Sequence, residues 1–214
     1  MGSITRSFAN NITTSGVLLP ASLTNNSIAN VTAYNAAIAT GNMVLISSQT
    51  ASNSASISFT TGIDSTYKEY QFWFIDIHAR TNSDFQFNMS TDGGANYNVT
   101  KTTTKFRAYH NESGADSALG YVASHDLAQS TADQLISQTS SGSDESTSGF
   151  LTLFNPSSTT YVKHFIATLD GYNTPYSEIH YTAGYGNTTS AINAVQFKMS
   201  SGNMDGTILM YGIV

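Results

Sequence analysis

Between Asp84 and Ser90 the chain alternates without interruption. Phe85, Phe87 and Met89 fall on one side, Gln86, Asn88 and Ser90 on the other. A period of two residues marks an extended strand with one buried face, because successive strand side chains point to opposite sides. Asp92-Gly93-Gly94 follows at once, and glycine enters the positive-φ conformations of tight turns without steric cost. Just upstream, Glu69 to His78 is the densest aromatic and β-branched run and holds the only tryptophan, Trp73. The stretch from Tyr67 to Tyr97 therefore reads as two long strands separated near Arg80 to Ser83, the central hairpin of an all-β core.

The rest of the chain from Met43 onward repeats this pattern. Met43 to Gln49 and Ser54 to Thr60 flank the small residues Thr50 to Asn53, which read as a hairpin loop. Lys101 to His110 sets Thr102, Thr104, Phe106 and Ala108 against Thr103, Lys105, Arg107 and Tyr109. Further strands are expected at Phe150 to Phe154, Thr160 to Leu169, Ser177 to Gly184, Ala194 to Met199 and Thr207 to Ile213. The breaks between them fall at Asn155-Pro156, Asp170-Gly171, Asn187 to Ser190 and Asp205-Gly206. The long connection Asn111 to Thr147 is expected to hold one or two short strands and exposed loops, with Ser140 to Glu145 at a tip. No helical periods separate the strands, which excludes a parallel α/β fold, and no fixed repeat suggests a propeller. The expected fold is an antiparallel, jelly-roll-like β-sandwich of about ten strands over residues 43–214. Residues 1–42 read as an N-terminal arm for attachment or oligomer contacts, with Ile4, Arg6, Phe8 and Ile12 as its contact residues. One short helix, Ser27 to Ala39, competes there with an extended conformation.

Composition narrows the function classes. Only 10% of the residues are charged, against roughly 25% in an ordinary globular protein, so the polar surface must be built from Ser, Thr, Asn and Gln. Such a surface suits a protein held in a fixed assembly or one that contacts glycans. The formal net charge is -6 and the basic residues are scattered, too few for the phosphate contacts that nucleic-acid binding requires. Lys101, Lys105 and Arg107 alone cluster; they share one strand face, read as solvated. There are no cysteines, hence no disulfides. MGSITRSFANN lacks the apolar core of a signal peptide, and no apolar run approaches the length of a membrane span.

Motifs for chemistry are sparse. Asp76 with His78, His125 beside Asp126, and Glu178 with His180 are the closest histidine–carboxylate groupings. Such a pair on a strand face can bind metal or exchange protons, although a hydrogen-bonded or solvated histidine is the ordinary reading. Asp76 and Glu178 are the first carboxylates to test for a glycosidase pair, which needs a separation of ~5–10 Å. No nucleophile elbow occurs. No catalytic residue, metal or cofactor is expected. Ser90 to Tyr97 is similar to the Asp-box of sialidases, but it occurs once and reads as a structural turn. Among the tyrosines, Tyr172 and Tyr176 with Asp170 and Asn173 form the candidate recognition surface, ring faces beside polar groups being what sugars bind.

Several segments resemble small virion proteins of tailed bacteriophages, of the decoration and tail-fibre type with a C-terminal β-sandwich. They are Ile63-Asp64-Ser65-Thr66-Tyr67 with Tyr70, the turn Ser90-x-Asp92-Gly93-Gly94 with Tyr97, Leu153 to Ser158, and Ser200 to Ile208 with Tyr211-Gly212-Ile213. The likeness spans roughly Met43 to Val214 and carries no catalytic motif. It implies a non-enzymatic structural protein on the particle exterior, assembled in the host cytoplasm. A capsid decoration or cement protein is the first expectation; a tail-fibre or tail-tip protein that binds a host surface glycan is the alternative. The partners implied are other virion proteins, reached through the arm, and a second and third copy of the chain in a homotrimer. Neither nucleic acid nor membrane insertion is implied.

Overall fold

In a computed structural model of the chain, residues 43–214 are described; the expected arm, its contact residues Ile4, Arg6, Phe8 and Ile12, and the Ser27–Ala39 helix lie outside them. The described strands are β1 (Met43–Ser54), β2 (Ser56–Phe59), β3 (Glu69–Ala79), β4 (Ser83–Ser90), β5 (Lys101–Asn111) and β6 (Ser117–Tyr121). After a 3-10 turn at Ala123–His125 come β7 (Gln134–Thr139), β8 (Thr147–Phe154), β9 (Lys163–Asn173), β10 (Tyr176–Gly186), β11 (Ala194–Met199) and β12 (Met204–Ile213). All pair antiparallel in two sheets, β1-β12-β3-β8-β9-β10-β5-β6 and β2-β11-β4-β7.

The expected sandwich is therefore present, and its layers are unequal. The chain order of β1-β12-β3-β8 facing β2-β11-β4-β7 is that of a jelly roll, two four-stranded sheets between which the chain repeatedly crosses. The other four strands, β9, β10, β5 and β6, extend the first sheet, with β9 and β10 still packed under β7 of the second.

Aromatic side chains from both layers fill the roll. Phe72 and Phe74 of β3 meet Phe85 and Phe87 of β4 and Phe59 of β2, all at most 2% exposed. Phe197 of β11 sits among all five, with ring centroids 5.0–6.3 Å away. Each such ring contributes about 1.5–3 kcal/mol by leaving water.

The alternation expected of β4 holds on its apolar side, where Phe85, Phe87 and Met89 are buried. Asn88 and Ser90 on the other side are buried as well. The Asp92 turn is the expected structural element. Its carboxylate accepts hydrogen bonds from the Ser90 hydroxyl (2.6 Å) and from the backbone and side-chain amides of Asn96 (2.9 and 2.8 Å). These donors, Ser90 first, hold the Asp92 carboxyl down to about 2.

Two expected hairpins are instead crossings between layers. β1 pairs with β12 and β2 with β11, so Thr50–Asn53 is strand and the chain turns the corner after Ser54. A bulge between Ala51 and Ser54 makes that bend; Asn53 takes φ +53° there, and its N–H donates to Asp205. Likewise β3 and β4 lie in different sheets, so the Tyr67–Tyr97 stretch spans the core rather than forming a hairpin within one sheet. Conversely, Asp170-Gly171 and Asp205-Gly206, expected breaks, lie within β9 and β12. At the second, Gly206 (φ +123°) faces a bulge in β3 where Asp76 has φ +50°. This bulge shifts the parity of β3. Tyr70, Phe72 and Phe74 point inward before it, and Ile77 and Ala79 after it, leaving Asp76 exposed.

Candidate functional site

The unequal layers leave two unusual surfaces on the extended sheet, one inside and one outside. The inner face of β5 and β10 carries polar residues at alternate positions. Lys101, Thr103, Lys105 and Arg107 on β5 share it with Glu178, His180 and Thr182 on β10, and the ladder places Lys105 opposite Thr182 and Arg107 opposite His180. Lys101 and Lys105 are 0% exposed. This corrects the expectation of a solvated basic face: the basic side of β5 points inward and the Thr102–Phe106 side points out. The physical reason is the cover. Strand β7 packs over β9 and β10, and beyond it the connection around Ala123–His125 closes the layer with polar backbone and histidine rather than aromatic rings.

The charges in this seam are partly paired. Arg107 Nη1 donates to Gln138 Oε1 (2.5 Å) and lies 3.2 Å from Glu178 Oε2. His180 Nε2 is 3.2 Å from the same carboxylate oxygen, within ion-pair range but not aligned as a hydrogen bond, so neither ring nitrogen has a partner among the described residues. Burial pushes the His180 pKa down, with Lys105 and Arg107 adding to it. Burial works to raise that of Glu178, but His180 and Arg107 outweigh it and hold it below its ordinary value. Both shifts favour an uncharged histidine beside an ionised glutamate. Lys105 Nζ, His125 Nδ1, Asp126 Oδ1 and Thr182 Oγ1 also have no partner among the described residues, and burial pushes the Lys105 ammonium down to about 7.

On the outside, the registers align one residue from each strand into a single row. Ser48 lies opposite Leu209, Leu209 opposite Trp73, Trp73 opposite Phe150, and the row continues through Thr168, Tyr181, Phe106 and Tyr121. Seven strand spacings make it ~34 Å long. Phe106 and Tyr181 stack at 4.8 Å and 17°, and Trp73 packs against Phe150 and Tyr211. Trp73 (41%), Phe106 (42%) and Tyr121 (65%) are open to solvent. Beside the row, Ile166, Ala183 and Thr104 line a depression of about 510 Å3 together with Phe154, His164 and Tyr185.

The expected site residues are not all brought together. Tyr176 donates to Asp116 (3.0 Å), meets the Tyr109 ring edge-on, and lines a cavity of about 190 Å3 with Arg107 and Glu178. Asn173 lines a different cavity, of about 330 Å3, with Asn82 and Asp84. Asp170 and Tyr172 line neither. Glu145, expected at an exposed tip, is 6% exposed and accepts hydrogen bonds from the amides of Gly142 (2.5 Å) and Thr174 (2.9 Å). Asp76 and Glu178 lie three strands apart, ~14 Å by strand spacing alone, and Asp76 is exposed where Glu178 is buried, so they make no glycosidase pair. His78 Nδ1 contacts the Glu145 carbonyl oxygen (2.7 Å). Among the described residues no three histidine or carboxylate side chains are grouped for a metal ion.

The outer row was missed in the sequence because it needs every register at once. Its one local signal was Phe106, an aromatic residue on the strand face opposite Lys105 and Arg107. No protein-family model, curated protein or solved structure matches the chain.

Proposed function

We propose that the protein is a non-enzymatic structural component on the exterior of a tailed-phage particle, a capsid decoration or cement protein or a similar fixed part. It docks through the outer face of its eight-stranded sheet. The observation that carries this reading is the row from Leu209 through Trp73, Phe150, Thr168, Tyr181 and Phe106 to Tyr121, apolar but for one threonine. Proteins that stay free and monomeric rarely leave an apolar surface of that extent uncovered, and a surface poor in charge offers little to keep copies apart. The resemblance of the Tyr67–Tyr97 and C-terminal segments to virion proteins supplies the setting. Its partners on this reading are other virion proteins and further copies of itself in a homotrimer, with residues 1–42 as a second attachment. Labelled protein imaged on particles tests it: label on the shell, lost when Phe106 and Ile166 are replaced by serine, is expected. Label confined to a fibre tip with both variants retained would sink it.

A second reading rests on the depression beside the row. Ile166 and Ala183 on its floor, the rings of Phe154, His164 and Tyr185, and the hydroxyls of Thr102 and Thr104 combine apolar faces with polar groups, the chemistry that holds a sugar ring. The protein would then be a tail-fibre or tail-tip receptor-binding protein. Saturable binding on a glycan array, abolished by Tyr185→Ala, would favour it over the first.

A further inference from the structure

Asn88, Lys101 and Asp133 come together from three elements at the junction between the jelly roll and its extension. Asn88 belongs to β4 in the smaller sheet, Lys101 opens β5 in the larger one, and Asp133 immediately precedes β7. Asn88 is 2% exposed and Lys101 0%. The Lys101 Nζ lies 2.5 Å from Asn88 Oδ1 and 2.8 Å from the Val99 carbonyl oxygen. The other end of the same amide, Asn88 Nδ2, donates to Asp133 Oδ1 (2.9 Å) and to the Thr131 carbonyl oxygen (3.0 Å). The backbone N–H of Met89 donates to Asn88 Oδ1 (2.9 Å). A buried amine is thus held against a buried amide whose oxygen is polarised by an N–H and whose nitrogen is held by a carboxylate.

We propose that Lys101 and Asn88 join in an intramolecular isopeptide bond, formed by the folded chain itself with Asp133 as the proton relay. The proposal stands apart from the docking reading above. The uncharged amine of Lys101 attacks Asn88 Cγ, and the electron pair of the carbonyl moves onto Oδ1, where the Met89 N–H stabilises it. The Asp133 carboxylate takes the proton shed by Nζ and passes it to Nδ2, to which it is already hydrogen-bonded. The Cγ–Nδ2 bond then breaks, ammonia leaves, and the Nζ–Cγ amide remains. One C–N bond replaces another, so no oxidant or further reactant is needed.

Three features favour reaction over a static contact. Proximity in a rigid core replaces a bimolecular encounter. Burial pushes the Lys101 ammonium down to about 8, raising the fraction of free amine near neutral pH. Lys198 Nζ, 2.7 Å from Asp133 Oδ2, fixes the carboxylate in place against the Asn88 amide nitrogen. The product would tie β5, the first strand of the extension, covalently to β4 of the roll, bracing the extension of the large sheet.

Intact-mass and peptide mass spectrometry of the full-length purified protein, held folded at pH 8, provides the test. The expected result is a mass lower by one ammonia and a branched tryptic peptide joining the Asn88 and Lys101 segments, with no cleavage after Lys101. Asp133→Ala, checked for native Trp73 fluorescence, is expected to keep the unreacted mass, and Asn88→Asp to form the same bond with loss of water. Recovery of Asn88 and Lys101 in separate, unmodified peptides from wild-type protein after prolonged incubation would overturn the proposal. So would ammonia loss traced to a cyclic imide at Asn88, and Asp133→Ala that cross-links at the wild-type rate would overturn the relay.

Discussion

Lys105 stands directly opposite Thr182 in the β5–β10 ladder, and the Nζ of one and the hydroxyl of the other are both buried without a hydrogen-bond partner among the described residues. A cation in that position opposes folding, and the sign of its effect on stability is fixed by its pKa. Burial lowers the folded value to about 7 from 10.5, with Asp84 opposing the shift and Arg107 reinforcing it. The unfolded chain therefore binds more protons between pH 7 and 10.5, and this lysine makes stability rise with pH across that window. Lys105→Met should raise stability at pH 7 by ~1–3 kcal/mol, since a buried charge is replaced by an apolar chain of similar shape. It should also flatten the rise above pH 7. Urea titrations at pH 7 and pH 9.5 check both; equal loss of stability at the two pH values would show that Lys105 is well paired.

Glu145 also makes stability rise with pH, but in the acid range. The Ser140 hydroxyl beside it, close but not aligned as a full hydrogen bond, acts first, and the Thr174 and Gly142 amides add to it. Together they outweigh burial and hold the carboxyl down to about 2 from 4.5. Its contribution is present above pH 4.5 and is lost as pH falls through 2. Glu145→Gln, which leaves the Gly142 and Thr174 amides with a weaker acceptor, should cost about 1–2 kcal/mol at pH 7 and nothing below pH 2. Thermal melts from pH 2 to 7 should show the variant and wild type converging at the acid end.

Phe197 is the ring on which the two layers of the roll converge, in contact with Phe59, Phe72, Phe74, Phe85 and Phe87. Phe197→Ala should destabilise the fold by ~3–5 kcal/mol. Phe197→Leu should cost far less, because volume lost is what matters. Equilibrium unfolding in urea measures both.

Substitutions on the outer row should leave the fold intact. Phe106 and Ile166 are 42% and 48% exposed, so Phe106→Ser with Ile166→Ser should change unfolding free energy by less than about 1 kcal/mol. The same pair should lower the apparent mass of any self-associated species in sedimentation. An unchanged distribution would remove this face from self-assembly.

Much of the all-β architecture was legible locally. Phe85, Phe87 and Met89 face the core because period-two alternation leaves a strand no other way to bury them. The Asp92 turn was legible because Asp, Asn and Gly at that spacing satisfy their own loop. The corners after Ser54 and Ala79 were not. A short polar stretch serves a hairpin and a crossing equally, and the partner strands β12 and β11 that decide between them lie far along the chain, as Phe74 with Ile208 and Phe87 with Phe197 show. The parity of β3 past Asp76 was hidden for the same reason, since the bulge there exists only against Gly206.

The sequence by itself determined that the chain builds antiparallel strands around an aromatic core, with a polar surface poor in charge. The tertiary structure alone decided which face of β5 is inside. Lys101, Lys105 and Arg107 alternate with Thr102, Thr104 and Phe106 in a pattern that suits either orientation, and general preference would put the lysines in water. They are buried because the smaller sheet meets β5 with polar side chains, Asn88 against Lys101, Gln134 against Thr103 and Gln138 against Arg107, and the connection through Ala123–His125 closes the rest. The outer row arises with them: once the basic side turns inward, Phe106 must turn out, level with Trp73 and Tyr181. Alternation specifies two faces, and only the packing of distant strands assigns them.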